Sequence, residues 1–297
     1  MKFIINEYPS VAEQTRRGIL HRVPLRVAVA AVGILILGFL ALGAYFIRPV
    51  DARSVDLQRV LNAPSFGHPF GTDEVGRDLG IRLLHGLRVS FAISILAAIV
   101  AILIGGLAGL VAGTLGHWVD SLFMRIVDFV SSQNHLLLGI LLVVLFRPIM
   151  GGAAAIVLSV GMTHWTTMAR IVRGELLSLR ERPFISAAIN GGANRLRLGW
   201  RHYLPHLLPS MGLGLVLLVP HAIFHESALS FLGLGLPPHQ ASLGNILADG
   251  RRSLLAGAWW TSFFPGGLIF IVVLGIGTVG EYLRDLLSPR WRSELEL

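Results

Sequence analysis

The 297-residue chain has no cysteine, and of its 25 basic residues only Lys2 is a lysine. Without cysteine there are no disulfides, no thiolate metal sites and no cysteine nucleophiles. With lysine confined to the second position, a nucleotide-binding P-loop of the pattern G-x-x-x-x-G-K-[ST] cannot be built. Schiff-base chemistry on lysine is excluded for the rest of the chain. Charge of either sign is scarce as well: 14% of residues are charged, against about 25% in soluble domains. What is there is apolar. A hydrophobic content of 54% and a mean hydropathy of +0.69 describe a membrane protein. The remaining charge is lopsided, 25 basic against 17 acidic residues for a net +8, a balance that raises nucleic acid as a partner unless the arginines have another task.

A hydrocarbon span takes about 20 apolar residues, because every backbone amide must be satisfied within the segment. Six stretches qualify: Val27 to Ile47, Val89 to Gly116, Val119 to Phe146, Pro148 to Ala169, Pro209 to His225 and on to Leu232, and Ser253 to Gly280. The first is long, lacks a small-residue cleavage site and is followed by further spans, so it reads as a retained helix rather than a signal peptide. The expectation is an all-α polytopic bundle of six transmembrane helices over residues 27–290. A segment 1–26 precedes it and a tail 291–297 follows. An even number of spans puts both termini on one side. Segments 1–26, 117–128, 170–201 and 281–297 hold 16 of the 25 basic residues, so the positive-inside tendency makes that side cytoplasmic. The loop 48–88 is then extracytoplasmic and the connector 170–209 cytoplasmic. The arginines are thereby explained as a topology signal and an attraction to anionic lipid, and nucleic acid is not expected as a partner.

Gly105, Gly109 and Gly113 recur every fourth residue in the second span. Such a stripe lets a second helix approach closely, although glycine is common in membrane helices generally. Between the fourth and fifth spans the connector reads RIVRGELLSLRERPFISAAINGGANRLRLGWRHYLPHLLP. Pro183 can open a helix, Phe184, Ile185, Ala187 and Ala188 give it an apolar side, and Gly191 and Gly192 break it. A basic second helix follows, which Pro205 and Pro209 are expected to interrupt. A connector of this composition could also simply lie on the membrane surface.

The stretch Ser186–Pro209 resembles the cytoplasmic motif of ABC-importer permeases, which begins Glu-Ala-Ala, has a glycine a few residues on and ends near Leu-Pro. Ala187 and Ala188 match the alanine pair, Gly192 the glycine and Pro205 the proline, with Ser186 where the family usually has glutamate. Three further motifs are similar to those of dipeptide, oligopeptide and nickel importer permeases. They are Gly71-Thr72-Asp73-Glu74-Val75-Gly76-Arg77-Asp78, Ala228-Leu229-Ser230-Phe231-Leu232-Gly233-Leu234-Gly235, and the closing Leu283 to Arg290. The resemblance covers about residues 27–290 and implies the type I importer permease fold in a bacterial cytoplasmic membrane. It implies a second homologous permease subunit, two ATP-binding subunits that hold ATP and magnesium, and an extracytoplasmic substrate-binding protein that delivers to the loops 51–88 and 236–252. This chain is expected to bind no cofactor itself. The short helix bearing Ser186, Ala187, Ala188 and Gly192 would be the coupling element that docks on an ATP-binding subunit. Asp73, Arg77 and Asp78 read as a structural turn.

His221 and His225 lie four apart in the fifth span, Glu226 follows, and His164 lies toward the end of the fourth. Ionisable groups within a span usually face a bundle interior or a water path. Imidazoles at this spacing can share a borderline divalent metal, and they can equally act as independent hydrogen-bonding groups. The His-x-x-x-His before S-F-L-G-L-G, and His164-Trp165, resemble the nickel-importing members. His164, His221, His225 and Glu226 are therefore expected to line the path, with His221 and His225 as transient metal ligands for nickel or a metal chelate and a peptide or other small solute as the alternative. His202 and His206 read as surface residues. An intramembrane metal-dependent hydrolase is disfavoured because Glu226 lies outside the histidine pair, unlike His-Glu-x-x-His. A self-contained channel or proton-driven carrier would have no use for the docking surface.

Overall fold

The structure, a computed structural model, describes residues 24–43, 55–237 and 240–287. It is helical, and among the described residues the sole β-type pairing is one antiparallel bridge between Thr72 and Asp78. The helices are α1 (Leu25–Gly43), α2 (Leu79–Leu115), α3 (His117–Ser132), α4 (His135–Met150), α5 (Gly152–Arg180), α6 (Pro183–Asn190), α7 (Leu204–Phe231), α8 (Leu243–Ser253) and α9 (Trp260–Leu287). A helical turn and a six-residue π-helix, Leu198–Tyr203, lead from Arg195 directly into α7.

Helix α2 begins where Asp78 caps it by accepting the Ile81 N–H, and it runs against α5 for most of its length. The glycine stripe makes that approach possible. A Cβ on Gly109 would stand 2.6 Å from the Ala169 carbonyl oxygen, one on Gly113 2.7 Å from Leu176 Cδ2, and one on Gly105 would overlap the Trp165 carbonyl oxygen. Gly109→Leu is therefore expected to force α2 and α5 apart at a cost of about 1–3 kcal/mol. It would appear as a lower melting midpoint of the detergent-solubilised protein. Gly174→Leu, where a Cβ meets nothing within 4 Å, should leave the midpoint in place.

Leu83 and Leu87 of α2, Met168, Val172 and Leu176 of α5, Leu207 and Ile223 of α7, Leu243 and Ile246 of α8 and Val272 of α9 form the main core. Helix α1 rests mainly on α9 and exposes Leu35, Phe39 and Leu42.

The order of elements sorts the bundle into two ends. At the loop end, Asp73 accepts from the backbone of Val75 and Arg77, from Arg77 Nε at 2.7 Å and from Arg82 Nη1 at 2.5 Å. Arg82 also reaches Asp249 of α8 at 2.9 Å, and Trp260 Nε1–H donates to the Thr72 carbonyl at 3.1 Å. At the connector end, Arg173 of α5 grips Asp120 of α3 through two hydrogen bonds of 2.5 and 2.6 Å. Arg195 donates to the Leu115 carbonyl there.

Several expected boundaries shift. Among the described residues four helices are long and apolar enough to cross a membrane (α1, α2, the run Arg195–Phe231 and α9), and α3 with α4 makes a fifth crossing only as a pair bent by 97°. The expected continuous third span breaks because Asn134 accepts the Leu136 and Leu137 N–H groups and starts a new helix. The fourth span is α5, 29 residues long. It is not among the described helices apolar enough to cross a membrane, and its Ser159, Thr163, His164 and Thr166 are buried inside the bundle. It continues to Arg180, and the connector's second helix merges with the fifth span, so the loop expected at 170–209 is mostly helix. Pro205 and Pro209 do not interrupt it: Pro205 lies in the first turn of α7 and Pro209 inside that helix. The sixth span, expected from Ser253 to Gly280, is α9 and runs from Trp260 to Leu287, while Ser253 is the last residue of the separate helix α8. The N-terminal segment up to residue 23, residues 44–54 across the end of the first expected span and the start of the outer loop, residues 238–239 and the closing Ser288-Pro289-Arg290 with the tail lie outside the described residues.

Candidate functional site

Pro183 occupies the first turn of α6, where its missing N–H costs nothing. Ile185 is fully buried and belongs to the same apolar cluster as Leu198, Tyr203 and Leu207, which fixes α6 to the start of α7. The Phe184 ring stacks on His206 at 5.1 Å between centroids. With Ile185 turned inward, Ser186 and Ala187 are exposed and Ala188 is half-buried. The helix ends in a Schellman motif: Gly192 N–H donates to the Ile189 carbonyl and Ala193 N–H to that of Ala188, with Gly192 at φ +81°. A side chain at Gly192 would meet no atom within 4 Å, so its glycine is explained by backbone conformation. Pro205 is exposed beside His206. The outer face of the connector is thus small residues, flanked by exposed Ile189, Leu196 and Trp200. These last two, and the Phe184–His206 stack, were missed in the sequence, although Leu196 and Trp200 lie four apart, on one helical face.

The second cluster lies where α4, α5 and α7 meet. His164 is buried, and around it stand the rings of His225 at 4.8 Å, His135 at 5.3 Å and His221 at 6.4 Å between centroids. His164 Nδ1 lies 3.0 Å from the Val160 carbonyl oxygen, and His221 Nδ1 3.2 Å from that of Leu217. Thr163 Oγ1 lies 2.9 Å from the same His164 Nδ1. His221 is exposed, and His135 and His225 are half-buried. The sequence reading brought together three of these residues and missed His135, which directly follows the cap of α4. The expected fourth member, Glu226, departs from the cluster. Its carboxyl is fully buried among serine hydroxyls, since a residue adjacent to His225 points about 100° away around the helix. Among the described residues no group of three or more His, Asp or Glu is arranged to hold a metal ion.

Residues 105–293 match the family described as binding-protein-dependent transport system inner membrane component. The chain is 38% identical over 267 residues to the dipeptide transport system permease DppC of Bacillus subtilis, covering 89% of this chain and 82% of the relative. It is 38% identical over 267 residues to that organism's oligopeptide transport system permease OppC, covering 89% and 86%. A putative peptide permease of Brucella suis is 37% identical over 243 residues, or 82% of this chain and 80% of the relative. Among solved structures, a chain of the MetNI methionine ABC transporter in inward-facing conformations is similar in fold. Its TM-score is 0.51 at 21% identity, covering 68% of this chain and 95% of that one.

Proposed function

Because the chain belongs to the family of binding-protein-dependent transport system inner membrane components, as a multi-pass permease subunit of an ABC importer, we propose that it carries di- or oligopeptides across the inner membrane. The observation that carries this reading is the run of peptide-permease relatives aligned over 89% of the chain. Nickel or a metal chelate, expected from the histidines, finds no support in those names, and the histidine cluster has no three-group metal arrangement among the described residues.

In this reading the chain forms half of a path whose other half is a second, homologous permease. Both termini and α6 lie on the cytoplasmic side, and the loop end faces the delivering binding protein. Two ATP-binding subunits hold ATP and magnesium, and one of them receives the face made by Ser186, Ala187, Ala188 and Gly192, with Pro205 beside it. Closure of those subunits pushes on α6, and the Ile185 contact and the Phe184–His206 stack pass the motion to α7. Helix α7 carries His221 and His225, which with His164 and His135 border the path. A closed cage would hold a permeating solute too tightly, so partly exposed imidazoles suit passing contacts.

Uptake of labelled dipeptides, longer peptides and nickel by the assembled importer tests the reading. Peptide accumulation that needs ATP is expected, and nickel uptake without peptide uptake would overturn it. His221→Ala combined with His225→Ala is expected to slow peptide uptake about three- to tenfold, at about 0.5–1.5 kcal/mol for each lost hydrogen bond. Unchanged peptide kinetics in that variant would take these imidazoles off the path.

A further inference from the structure

Glu226 is fully buried, and its surroundings join three helices. Ser230 Oγ donates to Oε1 at 2.9 Å and Ser227 Oγ to Oε2 at 3.3 Å, both from α7 itself. The hydroxyls of Ser90 of α2 and of Ser242, the N-cap of α8, stand beside the same carboxyl. These two hydroxyls are engaged on their other side by the first amides of α8. Leu243 N–H donates to Ser90 Oγ and Asn245 N–H to Ser242 Oγ, each at 3.2 Å. A hydroxyl that accepts from an amide keeps its own proton to donate. Two relays therefore lead in parallel from an amide to a hydroxyl beside Glu226. They take up orphan N–H groups in the first turn of α8 that would otherwise need a cap of their own.

The packing around the relays is close. A Cβ on Gly244 would stand 2.6 Å from Ser230 Cβ, and one on Gly86 2.8 Å from Ile246 Cδ1. The far end of α8 is held by Asp249 on Arg82 at 2.9 Å. Within α7, Pro220 lies six residues before Glu226 and lacks the amide that would close the helical bond to Val216. Helix α7 is therefore one backbone bond short just before the stretch that carries His221 and His225.

We propose that Glu226 is a positioning residue of the transport cycle. It ties α8, on the face turned to the delivery protein, to the histidine-bearing stretch of α7, so that docking outside the membrane is felt at the path. This rests on the permease reading above. The test uses the whole importer, with its second permease, ATP-binding subunits and binding protein, in proteoliposomes. In the Glu226→Ala variant, the stimulation of ATP hydrolysis by loaded binding protein should fall about tenfold, within the 1–3 kcal/mol of typical site-to-site coupling. Basal hydrolysis should stay unchanged. Hydrogen exchange in 243–253 should accelerate in the same variant. Glu226→Gln, whose amide oxygen accepts from the same hydroxyls, should restore most of the stimulation. Should Glu226→Ala fail to assemble, Ser90→Ala with Ser242→Ala removes the relays at little loss of volume and decides the question by the same readouts. Normal stimulation or unchanged exchange in the assembled variant overturns the proposal. A wild-type importer without binding-protein-dependent uptake would instead overturn the permease reading.

Discussion

Ala187→Trp is expected to abolish ATP-driven uptake while leaving the protein inserted and as stable as the wild type. Ala187 lies on α6 away from the buried Ile185, in a face of small exposed residues. Within the chain itself an indole there displaces nothing of the core, and surface changes of this kind stay within about 0.5 kcal/mol. Against a docked ATP-binding subunit the same indole must be accommodated in a packed contact, at a cost of about 1–3 kcal/mol. Each 1.4 kcal/mol is about a factor of ten in association, so the connector would disengage at working concentrations. Ile185→Ala supplies the contrast. It removes a fully buried anchor from the cluster with Leu198, Tyr203 and Leu207, and should lose about 2–5 kcal/mol of stability along with uptake. Parallel measurements of uptake, ATP hydrolysis and melting midpoint separate the two: Ala187→Trp should hydrolyse ATP without transport at an unchanged midpoint. Coupled uptake at the normal rate would remove α6 from the interface.

The connector was legible in the sequence because its signals are local. Pro183 opening the helix and Gly192 closing it act within one or two turns, and each does in the structure what its chemistry dictates. The glycine stripe of α2 was legible for the same reason, since periodicity alone places Gly105, Gly109 and Gly113 on one face. What was not legible depends on direction or distance. Hydropathy along 119–146 reads as one apolar run, yet Asn134 turns the chain by 97° in the middle of it. His135 joins His164 only because of that turn. Glu226 was grouped with the histidines by adjacency, whereas the helix twist separates neighbours, and the hydroxyls it meets come from residues as distant as Ser90. At the loop end the turn of Asp73, Arg77 and Asp78 was readable from its motif. Its extension through Arg82 to Asp249, 167 residues away, was not.

That extension makes Arg82→Leu the most destabilising single change expected at the loop end. The Arg82 side chain is 2% exposed and bridges Asp73, 4% exposed, and Asp249, 23% exposed. Removing one partner of a buried pair strands the other charge, and such losses run to about 3–5 kcal/mol. Asp73 would keep Arg77 Nε and two backbone donors, so the effect should fall toward the lower part of that range. Asp249, for which Arg82 is the cation in the network, would lose more of its compensation but less energy, because water reaches it. The two arms can be told apart by a double-mutant cycle. Asp249→Leu alone should cost less than Arg82→Leu, and the double variant should cost less than the sum by about 0.5–3 kcal/mol. Both α8 and the turn before α2 depend on this arginine, so melting midpoint and binding-protein-dependent uptake should fall together in Arg82→Leu, unlike the separation expected at Ala187. A midpoint equal to the wild type would mean that the glycine-mediated packing of α8 on α2 and α7, rather than the ion network, holds the loop end in place.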